Sequence, residues 1–162
     1  MTIHSEHPFL PPEDERDPVR RLRGHMPAPV SIWTSEDSQS RDGWTISSFL
    51  VADGRPADLA ALVDEDSDWW EVFRRTGLAT VNVLASGQGP IADVFARVAP
   101  SPGGPFRTGD WERGSHGPRL KDAAAWVEVA LVDGDPTHAG WGLLVRAQVE
   151  EIEVAGHEPA LG

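Results

Sequence analysis

Short stretches in which apolar and polar positions alternate recur along the chain, and this alternation predicts β-strands with one buried face. The predicted strands are 28–35, 44–52, 57–63, 78–86, 123–134 and 141–155. The polar connection 36–43 and the turn 53–56 join the first three, so antiparallel hairpins are expected rather than regular alternation of strands and helices. The last strand is long enough to contain a β-bulge.

Three segments have helical features instead. The segment 17–26 predicts a short helix opened by Pro18 and closed by Gly24. The segment 67–77 begins with capping residues and ends in glycine, and 87–98 has apolar residues at helical spacing. The predicted inner faces are Trp69, Val72, Phe73 and Thr76 in the second helix and Ile91, Val94, Phe95 and Val98 in the third.

Six or so strands with short helices between some of them, without internal repeats, favour a closed or nearly closed antiparallel barrel. A chain of 162 residues is expected to form one domain. We predict an arm and short helix over 1–24, the barrel over 25–154 and a tail over 155–162. The Gly- and Pro-rich loop 99–119 is long enough to be functional or mobile.

Composition and charge mainly exclude classes of partner. The net charge of −12 opposes the attraction that nucleic acid or an anionic membrane requires. The chain begins without the features of a secretion signal and has no apolar run near the length of a membrane span. It contains no cysteine, which excludes disulfides and a cysteine nucleophile. These features predict a soluble, cytoplasmic protein without nucleic-acid or membrane partners.

Generic motifs give little support to a catalytic or metal site. Gly87 to Ala92 matches the dinucleotide pattern G-x-G-x-x-A, but a Gly- and Pro-rich loop follows where a second parallel strand is required. The acidic segment 64–68 resembles the start of a calcium loop, yet Trp69 and Arg75 occupy the glycine and glutamate positions. The six histidines have no metal-binding spacing, and no nucleophile motif occurs. No catalytic side chain and no metal are expected.

The segment Gly43 to Phe49, GWTISSF, places hydroxyls on both faces of its predicted strand. Thr45 and Ser47 share one face, while Ser48 lies on the other. Small hydroxyls leave the neighbouring backbone amides accessible to a phosphate or the polar edge of a heterocycle. Taken alone, the segment is better explained by hydroxyls that simply face solvent. Contact with a polar ligand is the alternative.

Several segments in a fixed order extend this pattern. They are PVSIWT, GWTISSF, RPADLAALV, WWEVFRRTG, Val81 to Leu84, the helix with Gln88, Ala92 and Phe95, and GPRLKDAAAWVEVAL. This order resembles the flavin reductase family, whose fold is the FMN-binding split barrel, from about residue 25 to 154. The resemblance implies a mainly β fold with short helices, an antiparallel split β-barrel of Greek-key type.

The same resemblance implies a function and a site. The implied function is transfer of hydride from NAD(P)H to FMN, with FAD or riboflavin as alternative flavins, in a homodimer that supplies a monooxygenase with reduced flavin. The implied flavin-binding residues are Thr45, Ile46, Ser47, Ser48, Ser67, Asn82, Leu84, Ala85, Ser86, Gln88 and Phe95. Hydroxyls and amides would hold the polar edge of the ring and an aromatic side chain its apolar face.

Two departures from the family pattern leave alternatives open. Gly140 to Gly142 stands where the family commonly has Gly-Asp-His, with His138 as the nearby substitute. The acidic segment 64–68 stands where the family often offers basic and hydroxyl groups to the flavin phosphate. Arginines from elsewhere could compensate, namely Arg20, Arg21 or Arg41. The alternatives are a flavin- or other cofactor-binding protein without reductase activity, and a structural protein that binds no flavin.

Overall fold

A computed structural model describes residues 18–161, which contain three α-helices and ten β-strands. The helices are α1 (Pro18–Gly24), α2 (Asp68–Thr76) and α3 (Gly89–Phe95). The strands are β1 (Ser31–Glu36), β2 (Arg41–Ile46), β3 (Phe49–Ala52), β4 (Asp58–Val63), β5 (Leu78–Val83), β6 (Trp111–Glu112), β7 (Arg119–Leu120), β8 (Ala125–Leu131), β9 (Thr137–Ala139) and β10 (Gly142–Val154). Over the described part of the chain, no helix has the length and apolar character needed to cross a membrane.

One antiparallel sheet forms the body of the fold, with the strand order β2-β1-β5-β8-β10-β4-β3 and with β9 added beside β10. The first and last strands of this order, β2 and β3, are consecutive in the chain, and only Ser47 and Ser48 separate them. The three steps from Ile46 to Phe49 span at most about 11 Å, so the sheet curls until its two ends meet. This mainly β, split-barrel architecture confirms the predicted fold class.

Aromatic side chains of α2 fill one end of the curled sheet. Trp69 and Phe73 are fully buried and stack at a centroid distance of 5.2 Å, and Trp33 of β1 packs against both. The indole of Trp69 donates to Ser35 Oγ at 3.2 Å, so its polar atom is satisfied inside the core. The helix predicted from capping signals is confirmed, with Ser67 as its N-cap and Gly77 ending it at φ 72°.

The helix α3 covers a second buried cluster on another part of the sheet. Phe95 is fully buried and packs edge-on against Phe106 at 5.0 Å, while Trp111 lies 5.2 Å from it. Thr45 Oγ1 donates to the backbone oxygen of Ala92 at 2.6 Å, which fixes α3 against β2.

The predicted strand 44–52 is wrong as a single element. The strand β2 begins earlier than predicted, at Arg41, and ends at Ile46. A second strand, β3, begins at Phe49. The reason is long-range pairing, since β2 pairs with β1 whereas β3 pairs with β4 at the far end of the sheet.

Three smaller predictions are also corrected. The loop 99–119 contains a 3-10 turn and the two-residue strands β6 and β7, and the expected turn 135–140 contributes β9, which pairs with β10. Val98 is 64% exposed rather than on an inner face, because α3 ends at Phe95 and Arg97 adopts φ 63°. The expected bulge is confirmed, between Val149 and Glu151.

The domain boundaries at 24 and 154 stay predictions. The segment 158–161 is hydrogen-bonded to the strand-end residues 84–86, through Ser86 N to Glu158 O at 2.8 Å and Ala160 N to Leu84 O at 2.7 Å. The predicted arm, with its two histidines, lies outside the described residues.

Candidate functional site

A cleft of about 570 Å³ opens where the two ends of the curled sheet meet. We call it the seam cleft. Its walls come from the end of β2, the end of β4, the turn between β9 and β10, and the helix α1. The lining residues are Val19, Arg20, Arg23, Trp44, Thr45, Ile46, Ser47, Ser48, Leu62, Val63, Asp64, Ala139, Gly140, Trp141 and Gly142.

Ser47 and Ser48 supply the free hydroxyls of the seam cleft. Neither side chain has a hydrogen-bond partner among residues 18–161, and both residues are half-buried. The backbone around them is held, since Ser48 O accepts from Leu62 N at 2.9 Å and Ile46 O accepts from Ser31 Oγ at 2.6 Å. The two hydroxyls are therefore positioned by the sheet yet available to a ligand. The hydroxyl of Thr45, by contrast, is engaged by α3.

The acidic segment 64–68 forms a turn that is largely closed on itself. Asp64 Oδ1 accepts from the backbone of Asp66 at 2.9 Å, and Asp64 O accepts from Ser67 Oγ at 2.7 Å. Ser67 Oγ also accepts from Trp70 N at 3.2 Å, so its hydroxyl is used by the turn and by the first turn of α2. Ser67 is buried, and its bonds describe a helix cap.

A side-chain contact joins β9 to the acidic turn beside the seam cleft. His138 Nε2 of β9 lies 3.0 Å from Glu65 Oε1 of the acidic turn, and both side chains are largely exposed. His138, the residue that could substitute for the histidine of Gly-Asp-His, thus already has an acidic partner.

Three predicted site residues are buried in the body of the fold. Asn82 Nδ2 donates to Ile32 O at 3.0 Å, and Asn82 Oδ1 accepts from Leu120 N at 2.8 Å, so this amide ties β7 to the sheet. Leu84 and Phe95 are fully buried and belong to the cluster under α3. None of these three side chains lines the seam cleft.

Ala85, Ser86 and Gln88 line a separate cleft of about 420 Å³ at the start of α3. Gln88 Oε1 accepts from Ala85 N at 2.8 Å, and its Nε2 donates to Lys121 O at 3.1 Å. The predicted site residues thus fall into three groups, with Ser67 apart from them as a helix cap, and of the eleven only Thr45, Ile46 and the two serines line the seam cleft.

Trp141 is a lining residue that the sequence indicated only as a departure from Gly-Asp-His. It lies at the turn between β9 and β10 and is 94% exposed. Leu62 adds apolar surface to the same cleft. The seam cleft therefore combines hydroxyl donors with an apolar and aromatic rim, which suits a flat, polar-edged heterocycle. Among the described residues, no group of three or more histidine or carboxylate side chains could hold a metal ion.

Comparison with known proteins identifies one family. The model of the flavin reductase like domain matches residues 23–161. The FMN reductase (NADH) RutF of Variovorax paradoxus (strain S110) is 29% identical over 95% of this chain and 82% of its own length. The NADPH-flavin oxidoreductase of Streptomyces viridifaciens is 30% identical over 78% of this chain and 69% of its own length. Some other RutF proteins are covered over only 60% of their length.

Solved structures give the same result for the fold. The NADH:FAD oxidoreductase SgcE6 of Streptomyces globisporus C-1027 superposes with a TM-score of 0.79 at 26% identity, over 94% of this chain and 90% of that one. BorF, the flavin reductase component of a bacterial two-component tryptophan halogenase, superposes with a TM-score of 0.75 at 26% identity, over 88% of this chain and 92% of that one.

Proposed function

The chain belongs to the flavin reductase like domain family, and from this premise we propose that it binds a flavin in the seam cleft and transfers hydride to it from NADH or NADPH. The observation that carries the proposal is the position of Thr45 to Ser48, which lie together on the wall of this cleft. FMN is the proposed flavin, with FAD and riboflavin as alternatives, since one relative is named for FMN and one structural neighbour for FAD.

The residues of the seam cleft fit a flavin. Ser47 and Ser48 have hydroxyls to donate to the polar edge of the ring, and Leu62, which is 39% exposed, offers apolar contact to its face. The indole of Trp141 is free to cover a ring at the rim. A bound flavin supplies the hydride acceptor, so the protein has to orient two rings and exclude water rather than supply a nucleophile.

A second function, flavin binding without reductase activity, is favoured by one feature. The position expected for the histidine of Gly-Asp-His is not a histidine here, and His138 nearby is paired with Glu65. A protein of this kind would hold flavin in the seam cleft but would lack a group to seat the nicotinamide.

Absorbance of the purified protein separates the two functions. A protein that takes up FMN and whose flavin absorbance near 450 nm bleaches anaerobically with NADH or NADPH is a reductase. Uptake of flavin without bleaching supports the binding protein. Failure to bind FMN, FAD and riboflavin would contradict both proposals and favour the structural role.

We further propose that the protein is a homodimer and that reduced flavin passes to an oxygenase. The support for the recipient is that BorF is the reductase component of a two-component system. The support for the dimer is an apolar outer face on β3, β4 and β10, which includes Leu50, Leu62 and Leu144.

A further inference from the structure

We propose that Arg20 and Arg23 of α1 form the phosphate-binding part of the seam cleft and hold the phosphate of a flavin nucleotide. This inference rests on the proposed flavin site. Both arginines line the cleft that contains the free hydroxyls of Ser47 and Ser48. They lie three residues apart on a helix, which places them on one face, whereas Arg21 is turned away by about 100° and does not line the cleft.

The acidic segment 64–68, of which Asp64 lines the seam cleft, cannot perform this role. The segment 64–68 carries four carboxylates, which would repel a phosphate dianion. Its one hydroxyl, that of Ser67, is engaged by Asp64 O and Trp70 N. A phosphate in this cleft therefore needs positive charge from another element.

The helix α1 provides that charge, and its arginines are not needed for packing or for ion pairs within the described part of the chain. None of its residues is buried, and within residues 18–161 neither Arg20 nor Arg23 forms an ion pair with a carboxylate. Of the charged residues lining the seam cleft, these two are the cations and Asp64 is the anion. In a protein whose net charge is −12, this pairing of two guanidinium groups with two free hydroxyls is a distinct local feature.

The chemistry of the two arginines suits a phosphate monoester. Guanidinium groups present parallel N–H donors that match phosphate oxygens in a bidentate manner. Serine hydroxyls add neutral donors on the side that faces the ring. The arrangement would allow this chain to distinguish FMN from riboflavin, which has the same ring but no phosphate.

Equilibrium titration of FMN and of riboflavin tests the assignment. We expect Arg20→Gln/Arg23→Gln to raise the Kd for FMN by roughly tenfold or more, because two charge-assisted contacts are lost. The Kd for riboflavin should stay unchanged. The wild-type affinity for FMN should also weaken with added salt, and this dependence should be smaller in the double variant.

Arg21→Gln is the matched control, since it removes the same charge from the same exposed helix but not from the seam cleft. It should leave the FMN affinity unchanged, and thermal unfolding should be similar for all variants because α1 has no buried residue. Arg20→Lys/Arg23→Lys should recover part of the FMN affinity, since it keeps the charge but loses the bidentate geometry.

Three other outcomes would overturn the assignment of Arg20 and Arg23 to the flavin phosphate, and each gives a different result. If the double variant binds FMN as wild type does, or loses riboflavin equally, the arginines do not bind the flavin phosphate. A raised KM for NADH with unchanged FMN affinity would assign them to the phosphates of the nicotinamide dinucleotide instead. If the wild-type protein binds neither FMN nor riboflavin, the proposed function itself fails, and this inference fails with it.

Discussion

Ser47 lines the seam cleft and Ser67 caps α2. Their hydroxyls differ in the hydrogen bonds that they already form within the protein. The hydroxyl of Ser47 is without a partner among the described residues, whereas that of Ser67 accepts from Trp70 N and donates to Asp64 O. The resemblance implies that both residues belong to the flavin site, because a sequence does not show which hydroxyls already have partners. The sequence indicated a capping residue at the start of α2, and the structure shows that this role occupies the hydroxyl of Ser67.

A double substitution of Ser47 and Ser48 to alanine tests the available hydroxyls. We expect flavin affinity to fall by roughly tenfold, because two hydrogen bonds to the flavin are lost. The free energy of unfolding should change by less than about 0.5 kcal/mol, since neither side chain bonds within the described fold. Flavin titration and urea unfolding of the same preparation provide the measurements. Unaltered flavin affinity would remove these serines from the site.

Ser67→Ala should produce the opposite pair of effects. Loss of the N-cap of α2 is expected to lower the free energy of unfolding by about 1 kcal/mol. Flavin affinity should change by less than about twofold, because the hydroxyl is already occupied by the helix and the turn. Urea unfolding and flavin titration distinguish the two effects. A large loss of flavin affinity at unchanged stability would instead make Ser67 a ligand contact.

At the scale of single elements, the sequence predicted best where the determining signals are local. The helix α2 was predicted because its capping serine, inner-face aromatics and terminal glycine all lie within 11 residues of one another. The break between β2 and β3 was missed because it depends on partners at opposite ends of the sheet. Placement of Asn82 and Phe95 in the core was likewise set by contacts with β7 and with the loop before it, which lie far along the chain.

The close approach of α3 to β2 depends on Gly43. A Cβ at this position would lie 2.9 Å from Cε1 of Phe95 and 3.2 Å from Cγ2 of Thr34. Gly43→Ala should therefore destabilise the protein by roughly 1–3 kcal/mol, as overpacking of a filled core does. Gly24→Ala is the control, because a Cβ there meets nothing within 4 Å, and it should change stability by less than about 0.5 kcal/mol. Equal effects of the two changes in urea unfolding would contradict this packing.

The turn between β1 and β2 is tied to the last turn of α2 through Asp37. Its Oδ2 accepts from Arg75 Nε at 2.7 Å, and its Oδ1 accepts from the backbone of Gln39 and of Ser40 at 2.9 Å each. The bond from Arg75, followed by those from the two backbone amides, lowers the pKa of Asp37 from 3.8 to about 2.

Because the pKa of Asp37 is lower in the folded than in the unfolded chain, the unfolded chain takes up the proton first as the pH falls. The contribution of Asp37 to stability is thus complete above about pH 5 and disappears as the pH falls towards 2. Asp37→Asn should lower the unfolding temperature at pH 6, and its difference from wild type should shrink between pH 4.5 and 2.5. A difference that stays constant across this range, in thermal unfolding followed by circular dichroism, would contradict the assignment.

At the scale of the whole molecule, the order of five or more weak motifs was sufficient to predict the architecture. Each motif alone fits many folds, but their order reflects one topology in which β2 and β3 are sequence neighbours and sheet ends at once. The same topology places the hydroxyl segment at the seam cleft, which four of the eleven residues implied by the resemblance line. The sequence could not predict which elements line the seam cleft together, because α1 and β9 come from distant parts of the chain.

The apolar outer face beside the seam cleft is the feature that a monomer does not explain. Leu50 of β3 is 59% exposed, and Leu62 of β4 lies directly opposite Leu144 of β10 in the sheet register. Contiguous exposed apolar side chains of this kind mark interaction surfaces, and a symmetric dimer buries the same surface of both copies. Since Leu62 also lines the seam cleft, burial of this face would narrow the mouth of the cleft.

We therefore expect a solution mass near twice the chain mass of 17.6 kDa, and a shift to the single-chain mass on Leu50→Asp/Leu144→Asp. Introducing two carboxylates would place uncompensated charge in an interface that excludes water. Val98→Asp, at an equally exposed valine after α3, is the matched control and should leave the mass unchanged. Size-exclusion chromatography with light scattering gives the masses. A wild-type mass of one chain would contradict the dimer. If Val98→Asp also shifts the mass to that of one chain, the added charge and not the apolar face would explain the dissociation.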